Sequence, residues 1–330
     1  QIMMITAPNN ADFVWIRAPL IGVPDFQPSG WFRQEFLFGA MPAPYVFPRL
    51  FFGPNDLPAL RAMYTKTQYG RLALKTAKFE VDRFFSMPQS LKGPDTTTYN
   101  DLMAMARSRD VVAMMQIRKH ILMDRALDIL LVNDQARGKM LAELTYEMFL
   151  SYEPVFKEKR EKIPPRSERY CFHSNIKGLE RVNGFHIMVG RHQLFVLLDL
   201  VGFWMTKQQA RHCMDLSVMA IEGYQTAATQ YYLDTPQFLK RFADTVMDEQ
   251  HNQTIWDGSL LALNKVFIHG HEGADPKEIV GAYNMMLMHQ ACCLTRQGSR
   301  LESSGKEAQH QAFLLWLAMA RLRVPGMDKN

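Results

Sequence analysis

"NDLPALRAMYTKTQYGRLALKTAKFEVDRFF", Asn55–Phe85, is where the chain changes character. Apolar residues recur every three to four positions, the period of a helix with one buried face. Asn55 is a candidate cap for that helix, and Asp56 and Pro58 suit its first turn. Gly70 is the natural breaking point, so the stretch reads as two helices. The preceding residues differ. "FVWIRAPLIGVPDFQPSGWFRQEFLFGAMPAPYVFPRLFF", Phe13–Phe52, is rich in Pro, Gly and aromatics. It reads as extended segments and turns, a strand pair among them, lying against a larger body.

Beyond Asn55 the helical period continues. Further helices are expected near Tyr99–Ser108, Val111–Val132, Ala136–Leu150, Asn183–Phe203, Lys207–Tyr232, Pro236–Asp248, Ile255–Phe267, Pro276–Gln297 and Lys306–Leu322. Thr206, Thr235-Pro236 and Asp275-Pro276 supply start signals. Connections are short except for the polar, Pro-containing loop over Lys157–Lys177. Strand-like alternation is almost absent after residue 55. The expectation is an all-α domain of sequential helical hairpins. An incomplete (α/α) toroid, a ring of hairpins around a groove, fits this pattern, as does a bundle or an irregular α-domain. The division expected is an extended, β-like segment over 1–54 packed on a toroid domain over 55–330.

The chain has 330 residues, 47% of them apolar, which is enough for a sizeable core. Its formal charge of +5 lacks the dense clustering of a dedicated nucleic-acid binder and suits an acidic small molecule or polymer. The four cysteines (Cys171, Cys213, Cys292, Cys293) have no CxxC spacing, so a zinc knuckle is not expected. The most apolar run, Leu194–Met205, is too short to span a membrane and contains Asp199. The first residue is Gln1 rather than Met, which reads as a processed or trimmed start.

Three stretches carry candidate chemistry. In "QHNQTIWDGSLLALN", Gln250–Asn264, His251, Asn252 and Gln253 precede a helical run, where free N–H groups and the helix dipole favour an anion. The bland alternative is a polar cap. In Gln297–Leu322, Arg300, Glu302, Lys306, Glu307, Gln309 and His310 crowd a loop and the start of a helix, with Lys306 and His310 four apart on one face. A solvated charged helix start is the alternative there. In Arg169–Leu200, Tyr170, His173, His186, Arg191 and His192 stand among apolar residues. His186 and His192 lack a metal-pair spacing, and His269-Gly270-His271 is only a loose HxH. No GxSxG, P-loop or GxGxxG opens a helix.

"FPRLFFGPNDLPALRA", Phe47–Ala62, resembles the entry segment of uronate-specific polysaccharide lyases of the alginate-lyase and heparinase II/III-like toroid group. "QHNQTIWDGSLLAL" is similar to that group's Asn/His-bearing helix start. "QGSRLESSGKEAQHQAFLL" is similar to its later phrase, in which a Glu and a basic residue precede "YH" or "YS". Order and rough spacing agree over most of residues 47–322. The resemblance implies β-elimination on a uronic-acid polysaccharide such as alginate, glucuronan or a glycosaminoglycan. The proton to be removed lies α to a carboxylate, so hydrogen bonds that neutralise the carboxylate stabilise the transition state. A base takes the proton and an acid protonates the leaving oxygen.

On that resemblance Asn252, with His251 or Gln253, is the neutraliser. Arg300 and Lys306 hold carboxylates or tune a base, and Glu302, His192, Arg191 and Tyr170 complete the substrate-binding set. No metal or other cofactor is called for. Gln309 stands where the group commonly has its catalytic Tyr, and an amide cannot be the base. His310 is therefore the expected base, with His251, His192, Tyr170 and Tyr283 as alternatives. The group's usual β-sandwich after the toroid has no counterpart before Asn330, so the single-domain alginate-lyase arrangement is the nearer likeness. The implied partner is an acidic polysaccharide, not nucleic acid, and the implied location is periplasmic or secreted. Two alternatives stand beside the lyase: a toroid glycoside hydrolase using carboxylates such as Asp199, Asp257 or Glu302, and a non-catalytic polysaccharide-binding toroid.

Overall fold

The structure is a computed structural model. It describes residues 41–87, 98–114, 121–157, 192–222 and 263–274 with their side chains. By backbone alone it also describes strands and helical turns at 3–5, 13–17, 32–33, 115–116, 119–120, 171–172, 182–191 and 223–233. The class is all-α. Helices α1 (Leu57–Lys66), α2 (Gln68–Ser86), α3 (Tyr99–Arg107), α4 (Val111–Gln116), α5 (Lys119–Val132), α6 (Gln135–Lys157), α7 (Gly184–Val201) and α8 (Lys207–Leu233) follow one another. A further helical segment, α9, covers 263–268. The helices expected at Pro236–Asp248, Pro276–Gln297 and Lys306–Leu322 lie outside the described residues.

The break in the opening stretch falls at Thr67, three residues before Gly70. Thr67 is extended, and its hydroxyl accepts from the Gly70 N–H at 2.9 Å, so it caps α2. Gly70 serves the corner differently: a Cβ there would lie 2.0 Å from the Tyr64 carbonyl oxygen. Asn55 is not the cap of α1. It sits inside a 3-10 turn, Pro54–Asp56, and the Asp56 carboxylate accepts from the Gly53 N–H instead. Thr98 with Asp101 and Thr206 with Gln209 form reciprocal caps at the starts of α3 and α8.

α2, α5 and α7 pack side by side in one row, and α3, α6 and α8 in a second. The rows join through sequential pairs, α5 with α6 and α6 with α7 among them. α6 lies at the centre of this packing. Leu141, Leu144, Met148, Phe149 and Tyr152 on it are fully buried. Its Ser151 hydroxyl donates to the Ala106 carbonyl of α3 at 2.6 Å, and Tyr152 donates to the Met114 carbonyl of α4 at 3.1 Å. Gly138 lets the Trp204 ring lie flat on α6, since a Cβ would stand 2.2 Å from the indole.

Short strands flank the helices. Met3–Ile5, Phe13–Arg17 and Phe32–Arg33 form an antiparallel three-stranded ladder, one strand more than the pair expected. Cys171–Phe172, in the long loop expected after α6, pairs with Val182–Asn183, so Asn183 ends a strand rather than starting the expected helix. No helix among the described residues is long and apolar enough to cross a membrane.

Candidate functional site

On α7, His192, Phe195 and Asp199 are spaced three and four apart, so they share one face. Asn264, Phe267 and His271 repeat that spacing on α9 and the turn after it. The two rows meet rung by rung. His192 Nδ1 donates to Asn264 Oδ1 at 2.7 Å. Phe195 stacks on Phe267, with centroids 6.2 Å apart and planes at 17°. The third rung runs through Arg49. Asp199 accepts from the backbone N–H groups of Arg49 and Leu50 at 2.8 and 3.1 Å. Arg49 Nη1 donates to the Phe267 carbonyl at 2.7 Å, and Nη2 to the His269 and Pro42 carbonyls at 2.9 and 3.2 Å.

This explains the phrase "FPRLFF". Arg49 is only 1% exposed and clamps the end of α9, while Phe47 and Leu50 fill the core on either side. Gly202 at the end of α7 allows the approach, because a Cβ there would lie 2.6 Å from the Phe47 ring. The next residue of α9 reaches elsewhere. Lys265, with a fully buried side chain, donates to the Glu222 carboxylate of α8 at 2.7 Å.

The electrostatics keep the imidazoles neutral. Burial pushes His192 down to about 4, against a smaller upward pull from Asn264. His271 falls to about 4 through burial and then the Arg49 charge, and His269 is lowered by the same two causes. His271 Nε2 accepts from the Tyr45 N–H at 3.2 Å, so its proton sits on Nδ1 and goes to the Ile268 carbonyl at 3.1 Å. Both ring nitrogens are thus spent inside the protein, with a guanidinium 2.9 Å from one of them. The HxH is a turn rather than a cation site. Among the described residues no three His, Cys, Asp or Glu side chains are grouped to hold a metal.

His192 differs. With its proton held on Nδ1 by Asn264, its lone pair is on Nε2, which is buried and has no hydrogen-bond partner among the described residues. The amide thus fixes a neutral imidazole in one tautomer inside the fold, with Nε2 unpaired among the described residues. Asp199 differs again: its carboxylate caps the backbone of the entry segment, which removes it from the hydrolase candidates.

Of the residues assigned to the lyase site in the sequence, His192 is the one whose side chain is described. Arg191 is described only by its backbone in α7. Tyr170, His251, Asn252, Gln253, Arg300, Glu302, Lys306 and His310 lie outside the described residues, as do Asp257 and Tyr283. Sequence reading passed over Asn264, Lys265 and Arg49. The signal was present: "LLALNKVFI", 260–268, places an amide and an ammonium in an otherwise apolar run, and polar groups there require partners. The comparisons do not supply a relative: no family model, curated protein or solved structure matches the chain.

Proposed function

We propose that the protein is a polysaccharide lyase that cleaves a uronic-acid polymer by β-elimination within an incomplete α/α toroid. The observation that carries this reading is the His192–Asn264 pair. It joins the Arg169–Leu200 and Gln250–Asn264 stretches at 2.7 Å and holds a neutral imidazole with its lone pair uncommitted. The two rows of helices support the toroid, because neighbours of that kind arise when hairpins are laid side by side. In this reading Asn252, with His251 or Gln253, neutralises the substrate carboxylate, Arg300 and Lys306 hold it, and His310 takes the proton. His192, Arg191, Glu302 and Tyr170 line the bound sugar. Elimination by these side chains uses hydrogen bonds and proton transfer alone.

A non-catalytic polysaccharide-binding toroid is the second reading. It is favoured by the 4% exposure of His192, which suits a sealed internal pair, and by Gln309 in the place of a catalytic Tyr. One experiment separates the two. The protein is incubated with alginate, glucuronan and glycosaminoglycans while ultraviolet absorbance of the unsaturated uronate is followed. A rise with one polymer that His310→Ala abolishes, with polymer binding retained, is the expected result. No rise with any polymer overturns the lyase and leaves the binding protein.

A further inference from the structure

α1 and α2 hold most of the chain's excess charge. Between Leu57 and Ser86 there are six basic residues against two acidic, a net +4 within a chain of +5. α2 turns Gly70, Ala77, Val81 and Phe84 inward. Its outer surface is not merely polar. Tyr69, Leu72 and Phe79 are 71%, 58% and 62% exposed, far above the few per cent of the core aromatics. Their spacing of three and seven aligns them along one side of the helix. Beside them Arg71, Lys75 and Lys78, spaced four and three, form an exposed basic edge. Lys75 makes no ion pair among the described residues. Among the described residues Lys78 faces Asp82 at 3.5 Å in solvent, and the Arg71 guanidinium donates to the Thr65 carbonyl at 3.0 Å.

On the opposite side of the stripe a groove of about 500 Å³ runs between α2 and α5. Tyr69, Leu72 and Thr76 form one wall, and Asp124, Arg125 and Asp128 the other. The surface therefore offers aromatic and aliphatic faces, cations on one edge, and on the other two carboxylates, one of them paired with Arg125.

We propose that this α2–α5 face binds a stretch of acidic polysaccharide, with Tyr69 and Phe79 against sugar faces and Arg71, Lys75 and Lys78 at the uronate carboxylates. The choice of occupant rests on the lyase reading above. Charge spacing supports it. Successive cations are about 6 and 4.5 Å apart along the helix axis at 1.5 Å per residue. That suits one charge per sugar ring better than duplex DNA, with about one per 1.7 Å. On the other wall Asp124 can accept hydrogen bonds from sugar hydroxyls, and Arg125 already pairs with Asp128 at 3.0 Å.

The test is binding of the 330-residue chain to alginate, to a duplex DNA oligonucleotide and to phosphatidylserine vesicles. It is run for the protein as it stands and for a variant combining Tyr69→Ser, Phe79→Ser, Lys75→Glu and Lys78→Glu. Alginate affinity is expected to fall about tenfold or more in the variant and to fall with added salt in the parent. Unchanged alginate affinity overturns the proposal, as does tighter binding of DNA or vesicles than of alginate by the parent. Lys75→Glu alone, whose side chain supports no other part of the fold, replaces the combined variant if that variant does not fold. The two readings fail separately. Variant-sensitive binding without cleavage of any polymer keeps this surface and ends the lyase reading. Cleavage with variant-insensitive binding does the reverse.

Discussion

α2 and α7 are nearly the same length, 19 and 18 residues, and they lie in the same row of helices. Their environments are opposite. α2 buries a narrow stripe and leaves Tyr69, Leu72 and Phe79 in solvent. In α7 every residue from 194 to 201 is buried, Asp199 included. The polar groups of the two helices therefore behave differently. On α2 the Lys78–Asp82 pair is exposed on both sides, and such pairs contribute little to stability. On α7, His192 and Asp199 have lost water and must be answered by protein. Asn264 answers one and the Arg49–Leu50 backbone answers the other. A buried helix with polar residues is a fixed address for particular partners, while a surface helix is free to meet a ligand.

The sharpest way to break this contrast is Arg49→Ala. It removes the donor that three carbonyls share, so a loss of about 3–5 kcal/mol is expected. Urea unfolding measures it, and a loss below about 1 kcal/mol would show that the third rung is not needed. Arg49→Lys should also destabilise, because a point charge cannot reach the carbonyls of residues 42, 267 and 269 together.

Acid gives the second effect. The folded chain holds His192 and His271 near 4, whereas an unfolded histidine titrates near 6.5. Between those values the unfolded state binds more protons, so stability falls as the pH drops from about 6.5 towards 4 and is fully present above that window. The drop in melting temperature between pH 7.5 and 5 should be smaller for His192→Gln/His271→Asn than for the parent. Equal drops would mean that these imidazoles do not carry the acid sensitivity.

The smallest effect is expected on α2. Phe79→Ser should leave stability within about 0.5 kcal/mol, since a side chain 62% exposed gives up little on mutation. A loss above 1 kcal/mol by the same urea measurement would mean that this face is covered, and would bring α2 closer to α7.

The two helices also mark how far the sequence could be read. The period of Asn55–Phe85 announced a helical pair, and Thr206 announced the start of α8, because caps and periodicity are local properties of the chain. The apolar run around Asp199 fell within a helix expected near Asn183–Phe203, and its burial is shown by the structure. Thr67 rather than Asn55 or Gly70 set the corner between α1 and α2, since a glycine signals close approach as readily as a break. What lay beyond the sequence was pairing. His192 meets Asn264 across 72 residues, and Arg49 reaches the carbonyl of Phe267 across 218. Period and capping fix which face of a helix is buried, but the partner of a buried polar group is chosen by which helices pack together. The sequence alone thus determined that the protein is built of helices and which of them are amphipathic. Only the tertiary structure decided that the imidazole of α7 and the guanidinium of the entry segment converge on α9, because each buried polar group had to find its hydrogen bonds inside the fold.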